Sequence, residues 1–518
     1  MLEALPQPET RRTLLDGGYT VALLALAIVA GYGILASSAA PAKSARPDAP
    51  APAIVGALVI PPVESPPASV PGTSVALARP PAVAPEPPRP RPEVRPTPTP
   101  RPVKPEPAVE FPWPSPTVLG KVFDNDRKPL AGASVVVRGV EVWTDADGAF
   151  KLEQVPPEAM LLVKMPGFEK LQVPPTRGVV EAVLKPQTIK AAYLTYYGFG
   201  DRGIRNRVLD LTSRTELNAV VIDVKGDRGW IIYQTEVPAA LDAGAQGPAT
   251  LRDFDGMMAD LKARGIYTIA RIVTFKDNIL ASARPDLAII DTRTGKPWID
   301  NEKLAWVDPF QEEVWNYNIA LGKEAIRRGF DEVQFDYVRF PTDGKLGAAR
   351  YAKPNSRETR LPAIAGFLAR ARRELGAAGA FVGADLFGYT AFNENDTDIG
   401  QRIEELAPHL DFICPMVYPS GYHKGIPGHP NPVLVPYKVV HESVRLIRKR
   451  ASNSVARVRP WLQDFKDYAF DRRIFGVPEV QAQIRGAEEA GGAGWMLWNP
   501  RNDYTGSALR NKGAVAAR

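Results

Sequence analysis

From Thr188 to Ser507, short segments with the period-two patterning of strands alternate with longer stretches of helical period. No other feature restricts the fold as much. Strand-like segments lie at Ala191–Tyr197, Ala219–Val224, Ile266–Val273, Glu332–Phe340, Phe381–Phe387, Asp411–Tyr418, Val458–Asp464 and Ala493–Asn499. Helical stretches separate them, at Ile204–Leu217, Leu251–Arg264, Pro309–Arg328, Arg357–Leu375, Arg402–Leu406, Pro436–Arg450 and Pro478–Ala490. In the second, Leu251, Phe254, Met257, Met258 and Leu261 share one face. Asp308 followed by Pro309 and Gln311 predicts an N-cap, a proline at the first helical position and a box partner. Eight such strand–helix units predict an α/β fold, a (β/α)8 TIM barrel over residues 187–510. A doubly wound sheet is the alternative.

The fourth strand-like segment carries a chemical signal. In Phe330–Pro341, FDEVQFDYVRFP, Asp336 sits among apolar neighbours just before a proline and a TDGK loop. An unpaired buried carboxylate costs several kcal/mol or more, whereas an acid at the C-terminal end of a barrel strand is where such folds keep their chemistry. We therefore expect Asp336 to face a solvent-filled mouth.

The N-terminal third has a different composition. Residues 1–16 end in a short polar stretch with Arg11 and Arg12, a cytoplasmic N-terminus on this reading. Residues 17–37 contain the uncharged run Gly18–Ala36, long enough to cross a bilayer core, and are predicted to be a transmembrane signal anchor. The alternative is a signal peptide cleaved near Ser37–Ala40, leaving a secreted protein. Either way the globular part is exported, to the periplasm or beyond. Residues 38–116 hold about half of the chain's 52 prolines and are predicted to form a disordered stalk of polyproline character. The net charge of +6 is well mixed after residue 117, with no basic run interleaved with aromatics, so nucleic acid is not an expected partner. The single cysteine, Cys414, lies in an apolar strand and reads as inert core.

Residues 117–186 are short strands cut by turns, too few for an enzyme and enough for a small all-β sandwich. On Gly120-Lys-Val122, Pro129-Leu-Ala-Gly-Ala-Ser-Val135, Thr144-Asp-Ala-Asp-Gly-Ala-Phe150 and Pro166-Gly-Phe168, this segment resembles the carboxypeptidase regulatory-like, or transthyretin-like, domain. The resemblance implies a spacer or binding accessory. Asp145 and Asp147 read as a hairpin turn rather than a calcium site.

If the barrel is right, strand ends converge on one mouth: Asp223 from the second strand, Arg271 from the third, Gln334, Asp336 and Arg339 from the fourth, Asp385 from the fifth, Met416 and Tyr418 from the sixth, Gln463 and Asp464 from the seventh, Trp498 and Asn499 from the eighth. Strand parity puts Asp336 and Asp385 on the same side. Two such carboxylates suit a general acid with a nucleophile or base. Asp223, Arg271, Arg339, Tyr418, Gln463 and Trp498 are the candidate substrate contacts, with Tyr418, Trp461 and Trp498 offering flat faces for a sugar ring. Either arginine could keep one acid ionised. In the sequence no Cys or carboxylate stands at metal-ligand spacing from His423 or His429, so neither a metal nor a cofactor is expected.

Several motifs carry a resemblance: AYLTYYGFGD at 192–201, NAVVIDVKGDRG at 218–229, IARIVTFKD at 269–277, WVDPF at 306–310, FDEVQFDYVRFPTDG at 330–344 and PMVYPSGY at 415–422. On these, residues 189–506 are similar to bacterial glycoside-hydrolase-like barrels first catalogued as a domain of unknown function. That similarity implies a TIM barrel of the broad glycosidase clan. Met416-Val-Tyr418 and Trp498 also look like features of chitinase-type barrels, but Val338 stands where those enzymes carry their acidic glutamate. In amylase-type barrels the fourth-strand aspartate is the nucleophile, and Asp336 with Asp385 as acid/base matches that pattern. The expected activity is hydrolysis of an envelope or extracellular polysaccharide or oligosaccharide. A non-catalytic carbohydrate-binding barrel and a cell-envelope scaffold are the rival readings.

Overall fold

The computed structural model describes residues 117–175, 179–248 and 250–515. The expected signal anchor and proline-rich stalk lie outside them. Among the described residues no helix is long and apolar enough to cross a membrane.

The first strands pair into two small sheets. β1 (Val118–Asp124), β2 (Ser134–Val137), β3 (Val140–Trp143), β4 (Ala149–Leu152), β5 (Leu161–Lys164), β6 (Leu171–Val173) and β7 (Val179–Leu184) sort as β4-β1-β7 and β3-β2-β5-β6. Val122, Val135, Leu152, Leu161, Val163 and Ala182 close a dry core between them. The DADG sequence is a turn: Asp145 Oδ1 accepts the backbone N–H of Asp147 and of Ala149.

The remaining chain forms a closed parallel barrel. Its strands are β8 (Ile189–Leu194), β9 (Ala219–Lys225), β10 (Tyr267–Val273), β12 (Glu332–Asp336), β14 (Phe381–Phe387), β15 (Phe412–Met416), the pair β16 (Arg457–Val458) and β17 (Trp461–Gln463), and β18 (Gly494–Trp498). The two-residue β11 (Ile290–Asp291) and β13 (Ala349–Arg350) pair outside it. β14 pairs with β15 and β18 with β8, which closes the ring. A doubly wound sheet is thereby excluded. The run Gly198-Phe-Gly200-Asp-Arg-Gly203 has the spacing of a dinucleotide-binding turn, yet it follows the first strand of a ring. There it forms the helix Tyr196–Gly200 and the start of Arg202–Arg214, which Asp201 caps.

Strand alternation divides the apolar residues as a barrel requires. Ala192, Leu194, Val220, Ile222, Ala270, Ile272, Val333, Phe335, Val382 and Ala384 face outward into the layer beneath the helices. Ala191, Tyr193, Ala219, Val221, Tyr267, Ile269, Phe381, Phe412, Cys414, Met496 and Trp498 face inward. Cys414 is a free, buried thiol whose pKa burial pushes up.

Two local expectations are corrected. The helix after the third strand begins at Glu312, not Pro309. Asp308 instead accepts N–H groups from Phe310 and from Ala352 of a distant loop, so a tertiary contact replaces the cap. The fourth strand ends at Asp336, not Phe340, because Tyr337 takes a left-handed φ of 48° and breaks the extended run.

Candidate active site

The parallel strands deliver inward residues from their C-terminal halves to one end of the barrel. Four such residues meet: Asp223 from β9, Arg271 from β10, Asp336 from β12 and Asp385 from β14. Arg271 is the hub. Its Nε donates to Asp336 Oδ2 at 3.0 Å, Nη2 donates to the same oxygen, and Nη1 donates to Asp223 Oδ1 at 2.5 Å. Its Nε also lies 3.9 Å from Asp385 Oδ2. Below and beside it are the rings of Tyr193 and Trp498, stacked on each other at 3.9 Å. Burial works against the charge on Arg271, but Asp336 and Asp223 outweigh it and raise its pKa further.

The carboxyls are not equivalent. Asp336 is ion-paired with Arg271, and its other oxygen accepts the Tyr337 backbone N–H at 2.6 Å. Asp223 accepts the Tyr193 hydroxyl as well as Arg271; burial still raises its pKa above the usual range. Asp385 accepts the Trp461 Nε1–H at 2.6 Å through Oδ1, while Oδ2 has no hydrogen-bond partner among the described residues. Burial, and then the charge of Asp336 beside it, push its pKa well above the ordinary carboxylate range. Asp385 thus holds its proton more readily than an ordinary carboxyl, beside an aspartate that is ion-paired.

The structure differs from the sequence reading in what surrounds this group. Asp336 is only 3% exposed and Arg271 sits on it, so it does not look into a solvent-filled mouth. The Arg271 guanidinium between the inward carboxylates offsets their charge in the barrel interior. Tyr418 and Trp461 are sealed in the core, and Trp498 is nearly so. Their ring faces meet other side chains: Trp498 packs on Tyr193, and Tyr418 on Phe465. Gln463 is fully buried and braces the loop after the sixth strand, its Nε2 donating to Ser420 Oγ and its Oε1 accepting the Ser420 N–H. Arg339 contacts none of the three carboxylates at ion-pair distance: it lies three residues beyond Asp336, past the strand's end at Tyr337.

Sequence reasoning missed Tyr193, whose inward position in AAYLTYY was the available signal, and the indole N–H that Trp461 gives to Asp385.

Comparison with known proteins gives the chain a family. No curated protein matches it by sequence. Among solved structures it is similar to a hypothetical protein from Ruminiclostridium thermocellum, with 36% identity over 38% of this chain and 96% of that one, TM-score 0.33. It is also similar to the PgaB (BpsB) glycoside hydrolase domain from Bordetella bronchiseptica, with 14% identity over 61% and 95% of the two chains, TM-score 0.45. A third is the GH18 chitinase ChiB of Flavobacterium johnsoniae, with 14% identity over 62% and 91%, TM-score 0.36. A family model described as "Putative glycosyl hydrolase domain" matches residues 191–504, well over half of the sequence, and the chain belongs to that family.

Proposed function

We propose that the barrel is an O-glycosyl hydrolase in which Asp385 is the general acid and Asp336 its anionic partner. One observation carries the reading: neighbouring strands hold two carboxyls in unlike surroundings, Asp336 paired with Arg271 and Asp385 with one oxygen lacking a hydrogen-bond partner among the described residues and its pKa pushed up by burial. Asp385 Oδ2, which has no hydrogen-bond partner among the described residues, would give its proton to the glycosidic oxygen as the C–O bond breaks, and water would then add to the anomeric carbon and return a proton to Asp385. Asp336, paired with Arg271, would face the positive charge that develops at the anomeric carbon. Asp223 keeps Arg271 oriented for that task. Asp385→Asn should lower kcat at least about 100-fold, the usual contribution of general acid catalysis, with KM little changed. Unchanged turnover of a glycan that the wild type cleaves would eliminate this assignment.

The wider setting belongs to the same proposal. Residues 17–37 would anchor the chain in a membrane, residues 38–116 would form a stalk, and the carboxypeptidase regulatory-like domain would act as spacer beneath an exported barrel acting on envelope polysaccharide. Patterning of 17–37 and the proline content of 38–116 support this. Loss of the protein from membranes when residues 17–37 are deleted is the corresponding test.

A second reading has its own support. Asp336 is closely covered and doubly engaged by Arg271, and Val338 is buried in the layer beneath the helices. Both favour a barrel that binds carbohydrate without cleaving it. A glycan panel read for binding and for release of reducing ends separates the two: binding with release supports the hydrolase, and binding without release supports the binder.

A further inference from the structure

Arg339 is the unusual cation at this end of the barrel. Its guanidinium lies over three rings, those of Trp306, Tyr337 and Phe387, at 5.2, 4.9 and 4.7 Å. Only 6% of the residue's surface is exposed. The other buried basic groups nearby all have carboxylates: Arg271 has Asp223 and Asp336, Lys225 has Asp277, and Lys276 has Asp300 and Glu302. Arg339 has none within ion-pair distance among the described residues. Its Nη1 donates to the Phe340 carbonyl at 3.0 Å and to Thr342 Oγ1 at 3.4 Å. Its Nε and Nη2 donate to nothing in the described chain.

Burying a cation without a counter-charge is costly. Aromatic faces offset only part of that cost, roughly 0.5–2 kcal/mol. The unused edge has a definite shape as well. Nε–H and Nη2–H are parallel donors, the fork that accepts both oxygens of a planar carboxylate. The edge lies at the rim that holds the proposed acids: Arg339 is three residues beyond Asp336, and Phe387 is two beyond Asp385. The carboxylates of Asp343, Asp336 and Asp300 act on Arg339 through space without pairing with it. Their field penalises a compact, highly charged anion such as phosphate more than a single carboxylate.

We propose that Arg339 forms a carboxylate subsite, and that the glycan bound at this barrel contains uronic acid residues. The Nε–Nη2 edge takes the sugar's carboxylate while Trp306, Tyr337 and Phe387 hold the guanidinium flat. This rests on the carbohydrate reading above, but not on hydrolysis.

The test uses the full chain, with D-glucuronate, D-glucose and glucose 6-sulfate as probes in a binding titration followed by NMR of the sugar. The wild type should bind glucuronate at least tenfold more tightly than glucose. Arg339→Met, which keeps the packing but lacks the fork, and Arg339→Lys, which keeps the charge but lacks the fork, should both lose that tenfold preference. A folded near-UV circular dichroism spectrum of either variant suffices for the comparison. No preference for glucuronate in the wild type, a preference that survives in a folded variant, or an equal gain for glucose 6-sulfate would each overturn the subsite. If neutral glycans are cleaved in an Asp385-dependent way without any glucuronate preference, only the subsite falls. If the preference holds and nothing is cleaved, the subsite stands and the hydrolase reading falls.

Discussion

Asp464 shows how a single mouth residue sets a pH response. It directly follows the seventh strand and takes the Thr505 backbone N–H at 2.8 Å and the Thr505 hydroxyl at 2.7 Å, tying down the last loop. Burial raises its pKa to about 6, and the bonds from Thr505 counter this only in part. An unfolded aspartate titrates near 3.9. Below that pH both states hold the proton and the stabilising effect is complete. As pH rises through about 6 the folded state must ionise as well, and the effect is lost. A rise of this size in the folded state corresponds to on the order of 2–3 kcal/mol. We therefore expect the stability gap between the wild type and Asp464→Asn to move by that order between pH 4 and pH 7, in favour of the variant at the higher pH. Denaturant titrations at the two pH values measure it, and a gap independent of pH would refute the assignment. The same scale shows what the sequence could and could not reveal. Parity was enough to bring Asp223, Arg271, Asp336 and Asp385 together, because inward positions on parallel strands have nowhere else to go. It could not say which arginine neutralises the acids. Arg339 lies beyond the strand's end, past the left-handed Tyr337, and it is Arg271 that stands with the three carboxylates. Nor could composition tell an indole used as a sugar platform from one used as a donor, as Trp461 is.

Among the elements, the closing strand pair is the most exacting. β18 meets β8 with Gly494 opposite Ile189, and Gly494 has a φ of 100°. A Cβ there would lie 1.8 Å from the Ile189 carbonyl oxygen, a backbone atom that cannot move aside without opening the ring. Gly494→Ala should therefore cost more than about 3 kcal/mol, or prevent closure, through steric overlap and a strained φ together. Gly347→Ala is the matched control, since nothing lies within 4 Å of its added carbon. Urea midpoints of the two variants settle the point, and similar values would show that the β18–β8 seam relaxes freely. All eight strands were legible from periodicity, since parallel strands buried on both sides are nearly continuous apolar runs. Their ends were less so. The seventh is split into Arg457–Val458 and Trp461–Gln463 by Arg459 and Pro460. Proline cannot donate to a ladder, and Arg459 turns inward to pair with the buried Glu332. A pattern that reads burial alone passes over both.

At the scale of the whole described molecule, the two ends of the barrel do different work. The C-terminal ends of the strands carry the acids, and the small β domain covers the opposite end. Lys170 Nζ donates to the carbonyls of Asp331 and Gly379, the residues that lead into the fourth and fifth strands. Arg372, from the helix Arg357–Ala377, joins Glu141 of β3 to Asp411 at the start of the sixth, and Lys164 completes the group through Glu141. Phe381 lies beneath both lysines. Glu141, Lys164 and Asp411 are almost wholly buried, so removing the guanidinium strands charges that cannot reach water. Arg372→Ala should cost about 3–5 kcal/mol, the usual range for one partner lost from a buried ion pair. It should leave glycan binding at the far end unaltered, because the strands between are packed on both faces and have no second arrangement to adopt. Denaturant stability and glycan affinity measured on the same variant check both halves. A fall in affinity comparable to the loss of stability would mean that the small domain tunes the site through the barrel wall rather than capping it.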